Sequence, residues 1–308
     1  MRNVLARRRF LKTVGASVLA VPGMELLGSP SAQAELAPDD LAKSKMARLF
    51  SGCCAYTYRK DFLAGRMTLE DFIQRAAELK LDAVDMTVYY LKTTDPGYLE
   101  NLRHLGYKNG VPFSGAACGV SMVEADSSKR VDNLAQIKKW IDVTDRLGAS
   151  HLRVFAGRLP AGSLLPEAVD WVVDTMKAAT DYSGTKGIML GIEDHVGVSQ
   201  SADVCLEIMH RINSQYAGIN IDVSHFAPTP TQDSYAQIAA CIPYATNTHI
   251  RNTFDDGSLI DMDRLWKMFA DFGFKGYMSY EGEETYTPGV VPAQIAEIQR
   301  LCKKYSSV

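Results

Sequence analysis

Four side chains are spaced to do chemistry together. Glu193, Asp222, His249 and Glu281 follow one another at intervals of 29, 27 and 32 residues. Each stands at or just past the end of a short apolar run, over 188–193, 218–223, 246–250 and 276–280. Three carboxylates and one imidazole brought to one place would repel and raise one another's pKa. A divalent cation removes that conflict by giving each oxygen a partner. An oxygen-rich donor set with one histidine suits Mn2+, Mg2+ or Co2+, with Zn2+ also admissible; Mn2+ ranks first. Bound to a carbonyl and a neighbouring hydroxyl, such an ion stabilises the enediolate that forms when the adjacent carbon loses its proton. One carboxylate can take that proton and a second return it.

The elements that must position these residues alternate strictly. Strands are expected over 49–56, 83–89, 111–120, 151–156, 188–193, 218–223, 246–250 and 276–280. Helices are expected from Thr68 and over 97–105, 133–147, 166–183, 202–212, 235–241, 261–272 and 291–305. Leu69, Phe72, Ile73, Ala76 and Leu79 show the i, i+3, i+4 spacing of one helix face, with Thr68 as its N-cap. Gly148 is placed to close the helix before it. Eight strand–helix units demand a parallel sheet with right-handed crossovers. In this length they predict an α/β fold, a single (β/α)8 TIM barrel over 47–308, with functional residues at the C-terminal strand ends. No G-x-G-x-x-G or Walker A pattern is present, which removes the common nucleotide-binding readings.

Within that frame the motifs resemble those of the xylose-isomerase-like TIM barrels, the sugar phosphate isomerases and epimerases that include ketose 3-epimerases and hydroxypyruvate isomerases. The E-x-H of strand five reads Glu193-Asp194-His195, and the D-x-x-H of strand six reads Asp222-Val223-Ser224-His225. The strand-seven histidine is His249 and the strand-eight glutamate Glu281. The resemblance implies that Glu193, Asp222, His249 and Glu281 bind one metal ion. It also implies that Glu193 and Glu281 form the acid/base pair and that His225 contacts substrate. His195, Arg153 and Arg251 are further candidates for holding a sugar. The sequence departs from the pattern on strand seven, where H-x-K-D reads His249-Ile250-Arg251-Asn252: Arg251 keeps a cation, but Asn252 supplies no base or anionic ligand. Asp85 ends strand two facing the rim. His151 begins strand four, at the opposite end of the barrel, and reads as structural. Trp140, Trp171 and Trp266 fall in helix patterns and read as packing.

The N-terminus reads as an address. Arg7-Arg8-Arg9-Phe10-Leu11-Lys12, an apolar run over 14–21 and Ala32-Gln33-Ala34 resemble a twin-arginine signal peptide over 1–34, followed by a polar lead over 35–46. This predicts a periplasmic or otherwise exported protein handled by the twin-arginine translocase, with no stable membrane anchor. Removing 1–34 takes away five basic residues and one acidic residue, leaving 28 basic and 35 acidic, so the net charge goes from −3 to −7. An acidic surface opposes a nucleic-acid partner. The six cysteines show no C-x-x-C spacing, which argues against a zinc ribbon or redox pair and for buried free thiols. Family members often form dimers or tetramers, so a homo-oligomer is allowed by analogy.

Phosphorylated sugars are scarce outside the cytoplasm, and Glu281, Glu283 and Glu284 make a poor neighbourhood for a phosphate. The expected substrate is therefore a non-phosphorylated sugar, keto-sugar or glycoside, isomerised or epimerised through a metal-stabilised enediolate. Alternatives are a lyase or hydratase acting on a 3-keto-glycoside at the same metal site, a non-catalytic sugar-binding barrel, and an endonuclease of the related repair type, which the charge opposes.

Overall fold

The structure is a computed structural model that describes residues 46–282 and 289–307. The signal peptide, all but the last residue of the polar lead, and Glu283 and Glu284 lie outside the described residues.

Eight parallel strands close a barrel in sequence order: β1 Arg48–Cys54, β2 Ala83–Thr87, β3 Phe113–Ser121, β4 His151–Phe155, β5 Met189–Glu193, β6 Ala217–Asp222, β7 Ala245–Ile250 and β8 Lys275–Tyr280. β1 closes on β8 with Arg48 opposite Lys275 and Cys53 opposite Tyr280. No helix among the described residues is long and apolar enough to cross a membrane.

Local sequence explains the element boundaries. Thr68 caps the helix Leu69–Glu78 through a reciprocal box with Asp71. Gly148 ends the helix Ser127–Leu147 with a φ of 76°, where a side chain would be strained. That helix begins six residues before the expected start, because the Asp126 side chain accepts from Ser128 N and caps it. β1 and β2 stop short of their expected ends, at single 3-10 turns over Ala55–Tyr58 and Val88–Tyr90. β3 starts later than expected, after Pro112, which has no N–H to give the ladder.

Side chains alternate across each strand. Leu152 and Val154, Leu190 and Ile192, and Ile219 and Ile221 belong to the apolar core. The other face is polar and buried: Asp85 and Thr87, His151 and Arg153, Asn220 and Asp222, Asn247 and His249, and Ser279. Branched apolar residues usually fill such an interior. Here it is filled by groups that need partners, and that is where the site lies. At the opposite end, His151 Nε2 sits 3.1 Å from Thr246 Oγ1. A Cβ on Gly191 would lie 2.4 Å from that nitrogen, so glycine makes room for the ring. Burial pushes the His151 pKa down to about 4, keeping it neutral and structural, as its position on the strand suggests.

Candidate metal and sugar site

The four strand-end residues meet. Glu193 ends β5, Asp222 ends β6, His249 lies one residue before the end of β7, and Glu281 follows β8. Glu193, Asp222 and His249 each present one ligand atom, all within 4.8 Å of one another. Glu281 joins through the imidazole: its Oε2 lies 2.9 Å from His249 Nδ1, and Glu193 Oε1 lies 2.8 Å from the same nitrogen. All four are buried.

The chain fixes each member locally. Asp222 N donates to Asp194 Oδ1 at 2.7 Å, while Asp222 Oδ1 accepts from Ser224 N at 3.0 Å and Ser224 Oγ at 2.8 Å. Glu281 N donates to Ile250 O at 3.0 Å. The loop after β1 straps the end of β8: Thr57 Oγ1 donates to Tyr280 O and accepts from Gly282 N, both at 3.0 Å.

Electrostatics keep the carboxylates charged. Burial alone would raise Glu193, but Arg153 and His249 outweigh it and hold its pKa at about 2. Burial likewise opposes ionisation of Glu281, yet His249 and Arg251 hold it well below the ordinary carboxylate range. Burial disfavours charge on His249 too, but Glu281 and the other surrounding anionic groups push its pKa well above the usual value. Asp194 behaves oppositely. Buried, and beside Asp222, it is pushed far up.

Two arginines cross the cluster. Arg251 Nε donates to Asp222 Oδ2 at 2.9 Å and Nη2 to Glu281 Oε1 at 2.6 Å. Arg153 Nη1 lies 3.6 Å from Glu193 Oε2. Both arginines read as sugar-holding candidates from sequence, and both have their charge engaged by carboxylates. His225 Nε2 lies 3.6 Å from Asp222 Oδ2. The His195 ring meets the His225 ring edge-on at 4.7 Å, so the two histidines border the cluster on one side.

Sequence spacing does not reveal how His249 is held from behind. Asp85 Oδ2 accepts from His249 Nε2 at 3.1 Å and from Asn247 Nδ2 at 3.2 Å. Asp85 thereby keeps a proton on Nε2 and turns Nδ1 toward Glu193 and Glu281. Cys54 completes a second group with Asp85 and His249 whose ligand atoms also lie within 4.8 Å. The Cys54 thiol is pushed up to about 11 by burial, Glu281 and Asp85. Asp85, expected to end strand two at the rim, instead lies in the middle of β2, fully buried, where the closed barrel turns it onto His249. All six cysteines are buried and free.

The donor set fits a divalent ion. Nδ1 can give one proton, and Glu193 Oε1 is placed to take it. Glu281 Oε2 beside it is buried with no hydrogen bond of its own, an arrangement that costs energy unless something else binds the oxygen. Glu193 and Glu281 are held ionised, and with Asp222 and His249 they offer one divalent cation the oxygen-rich donor set with one histidine that such ions prefer.

The Xylose isomerase-like TIM barrel family model matches residues 73–305. The chain belongs to that family. No curated protein matches its sequence. Among solved structures, a xylose isomerase domain protein from Planctomyces limnophilus is 15% identical, with 84% of this chain and 98% of that one covered and a TM-score of 0.65. The D-psicose 3-epimerase of Clostridium cellulolyticum H10, solved with D-tagatose, is 12% identical over 83% and 95% of the two chains, TM-score 0.66. A 3-keto-D-glucoside 4-epimerase from E. coli is 14% identical over 83% and 99%, TM-score 0.66. At such identities the likeness carries the fold, and the chemistry has to be argued from this chain's own residues.

Proposed function

We propose that this member of the xylose isomerase-like family is a metal-dependent isomerase or epimerase of a non-phosphorylated sugar or keto-sugar. One observation carries the reading: two ionised glutamates from β5 and β8 converge on His249 Nδ1 at 2.8 and 2.9 Å, beside Asp222. Glu193, Asp222, His249 and Glu281 would hold the ion, Mn2+ by preference, with Mg2+, Co2+ or Zn2+ as alternatives. When bound, the ion supplies Lewis-acid polarisation of a carbonyl and its neighbouring hydroxyl, which acidifies the carbon-bound proton between them.

The protein's own groups do the rest. Glu193, held ionised by Arg153, is a base able to take the proton from carbon. Glu281 approaches from β8, so a proton relayed to it from water can return to a different face, as epimerisation requires, while the one taken by Glu193 goes to solvent. Arg251, bridging Asp222 and Glu281, sets the distance between those two carboxylates. His225 and His195 stand where they can hydrogen-bond sugar hydroxyls. The sugar epimerase names of two structural neighbours agree with this assignment in kind. The same reading takes residues 1–34 as an export signal, checked by fractionating cells that express the full chain.

The test is incubation of the Mn2+-loaded protein with a panel of keto-sugars in deuterated water. Label appearing at a single carbon, with a new epimer or isomer, is the expected result. Label in no sugar, at any divalent metal tried, would overturn the proposal.

A further inference from the structure

Beside the carboxylates, a cavity of about 480 Å³ opens among the loops that follow β3, β4 and β5. That volume falls in the range of roughly 300–1,000 Å³ typical of small-molecule sites. Its walls are largely apolar: Val123, Phe155, Leu159, Pro160 and Val196. It adjoins the site described above through His195, which lines it and meets Phe155 on one side at 4.9 Å and His225 on the other at 4.7 Å.

Three features mark this as a built pocket. First, its lining leaves large apolar side chains in water: Leu159 is 41% and Val196 37% exposed. Single exposed leucines need no explanation. A group bordering one concavity next to a reaction site marks a binding surface. Second, the loops are clasped. Val198 N donates to Gly157 O at 3.0 Å, and a Cβ on Gly197 would lie 2.3 Å from that oxygen, so the close approach requires glycine. Third, Arg158 lines the cavity as an exposed side chain. Its guanidinium plane is free to stack on a ring.

We propose that this cavity seats an aromatic aglycone, so that the substrate of the proposed isomerase is a keto-sugar carried as an aryl glycoside rather than a free monosaccharide. The inference rests on the sugar reading above. A phenyl ring can take the edges of Phe155 and His195 and the face of Arg158. An anionic group is disfavoured, since Glu124 lines the same cavity and offsets Arg158. Asn133 and Glu124 are placed to hydrogen-bond a phenolic hydroxyl.

The test uses the full Mn2+-loaded protein with matched methyl, phenyl and glucosyl glycosides of 3-keto-glucose. Binding is followed by calorimetry, and deuterium incorporation from solvent is followed in parallel. The phenyl glycoside should bind at least about tenfold tighter than the methyl one, or roughly 1.4 kcal/mol. Val196→Trp, which fills the cavity, and Leu159→Asp, which makes its wall polar, should each cut that advantage to about twofold. Circular dichroism melts identify any variant that fails to fold, and the other variant then decides. Equal phenyl and methyl affinities, a glucosyl glycoside that binds tighter than the phenyl one, or a phenyl advantage that survives in a folded variant would overturn the assignment. A phenyl preference without deuterium incorporation upholds the cavity and contradicts the isomerase reading, so the two fail separately.

Discussion

The two halves of the barrel repeat the same strand–helix unit but end in different chemistry. β5 to β8 deliver Glu193, Asp222, His249 and Glu281 to one rim, all buried. β1 to β4 end in Cys54, Thr87, Ser121 and Phe155, and their charged contributions, Asp85 and Arg153, lie further down the strands. These two do not complete the donor set. Asp85 holds the back of His249 and Arg153 faces Glu193. One half therefore carries the converging donors together with Arg251, and the other supplies the contacts of Asp85 and Arg153 that hold His249 and face Glu193. Packing these groups at one rim is possible because Arg251, just past β7, bridges Asp222 and Glu281, while Arg153 and Asp85 reach Glu193 and His249 from the other half.

Four changes would break or sharpen that comparison. The largest effect is expected in the β5–β8 half: Glu193→Gln or Glu281→Gln should slow solvent-deuterium incorporation by about 10²–10⁴-fold. Thr87→Val across the rim should leave the rate near that of the unaltered protein. Next, Arg251→Gln strips the shared counter-charge from Asp222 and Glu281. Leaving buried carboxylates unpaired typically costs about 3–5 kcal/mol, so the metal-free variant should melt well below the parent. Added Mn2+ should recover most of that loss.

A third test lies at the opposite end of the barrel. The folded protein holds His151 at about 4, below the ordinary histidine value of 6.5, so the native state favours the neutral ring. The stability this group contributes is complete above pH 6.5 and is lost as pH falls toward 4, amounting to about 3 kcal/mol from its pKa difference. A His151→Asn variant should lack this part of the acid slope in chemical denaturation, with metal binding unaffected at pH 7. The smallest effect belongs to the outer contact: Asp85→Asn should weaken Mn2+ binding by about 10–100-fold with the fold intact by circular dichroism.

Most of the architecture was legible because period-2 and period-3.6 patterns alternate along this chain. The strands begin and end within a few residues of expectation. Departures occurred where the backbone turned for local reasons, as at Pro112, at the Asp126 cap, and where β1 and β2 run into 3-10 turns. The β5–β8 half of the site was legible too, since one residue per βα unit at near-constant spacing must converge once the barrel closes. The contacts of Asp85, Asn247 and Arg251 were not. They join residues 162 and 164 positions apart, or depend on which way a long side chain turns. The apolar cleft beside His195 was hidden for a similar reason, because its walls come from three separate loops.

The most direct measurement is a Mn2+ titration followed by electron paramagnetic resonance, on the full chain and on Asp222→Ala and His249→Ala. The account predicts one tightly bound ion per chain in the unaltered protein and loss of that binding in each folded variant. Undiminished one-to-one binding in either folded variant, or no binding in the parent, would contradict it.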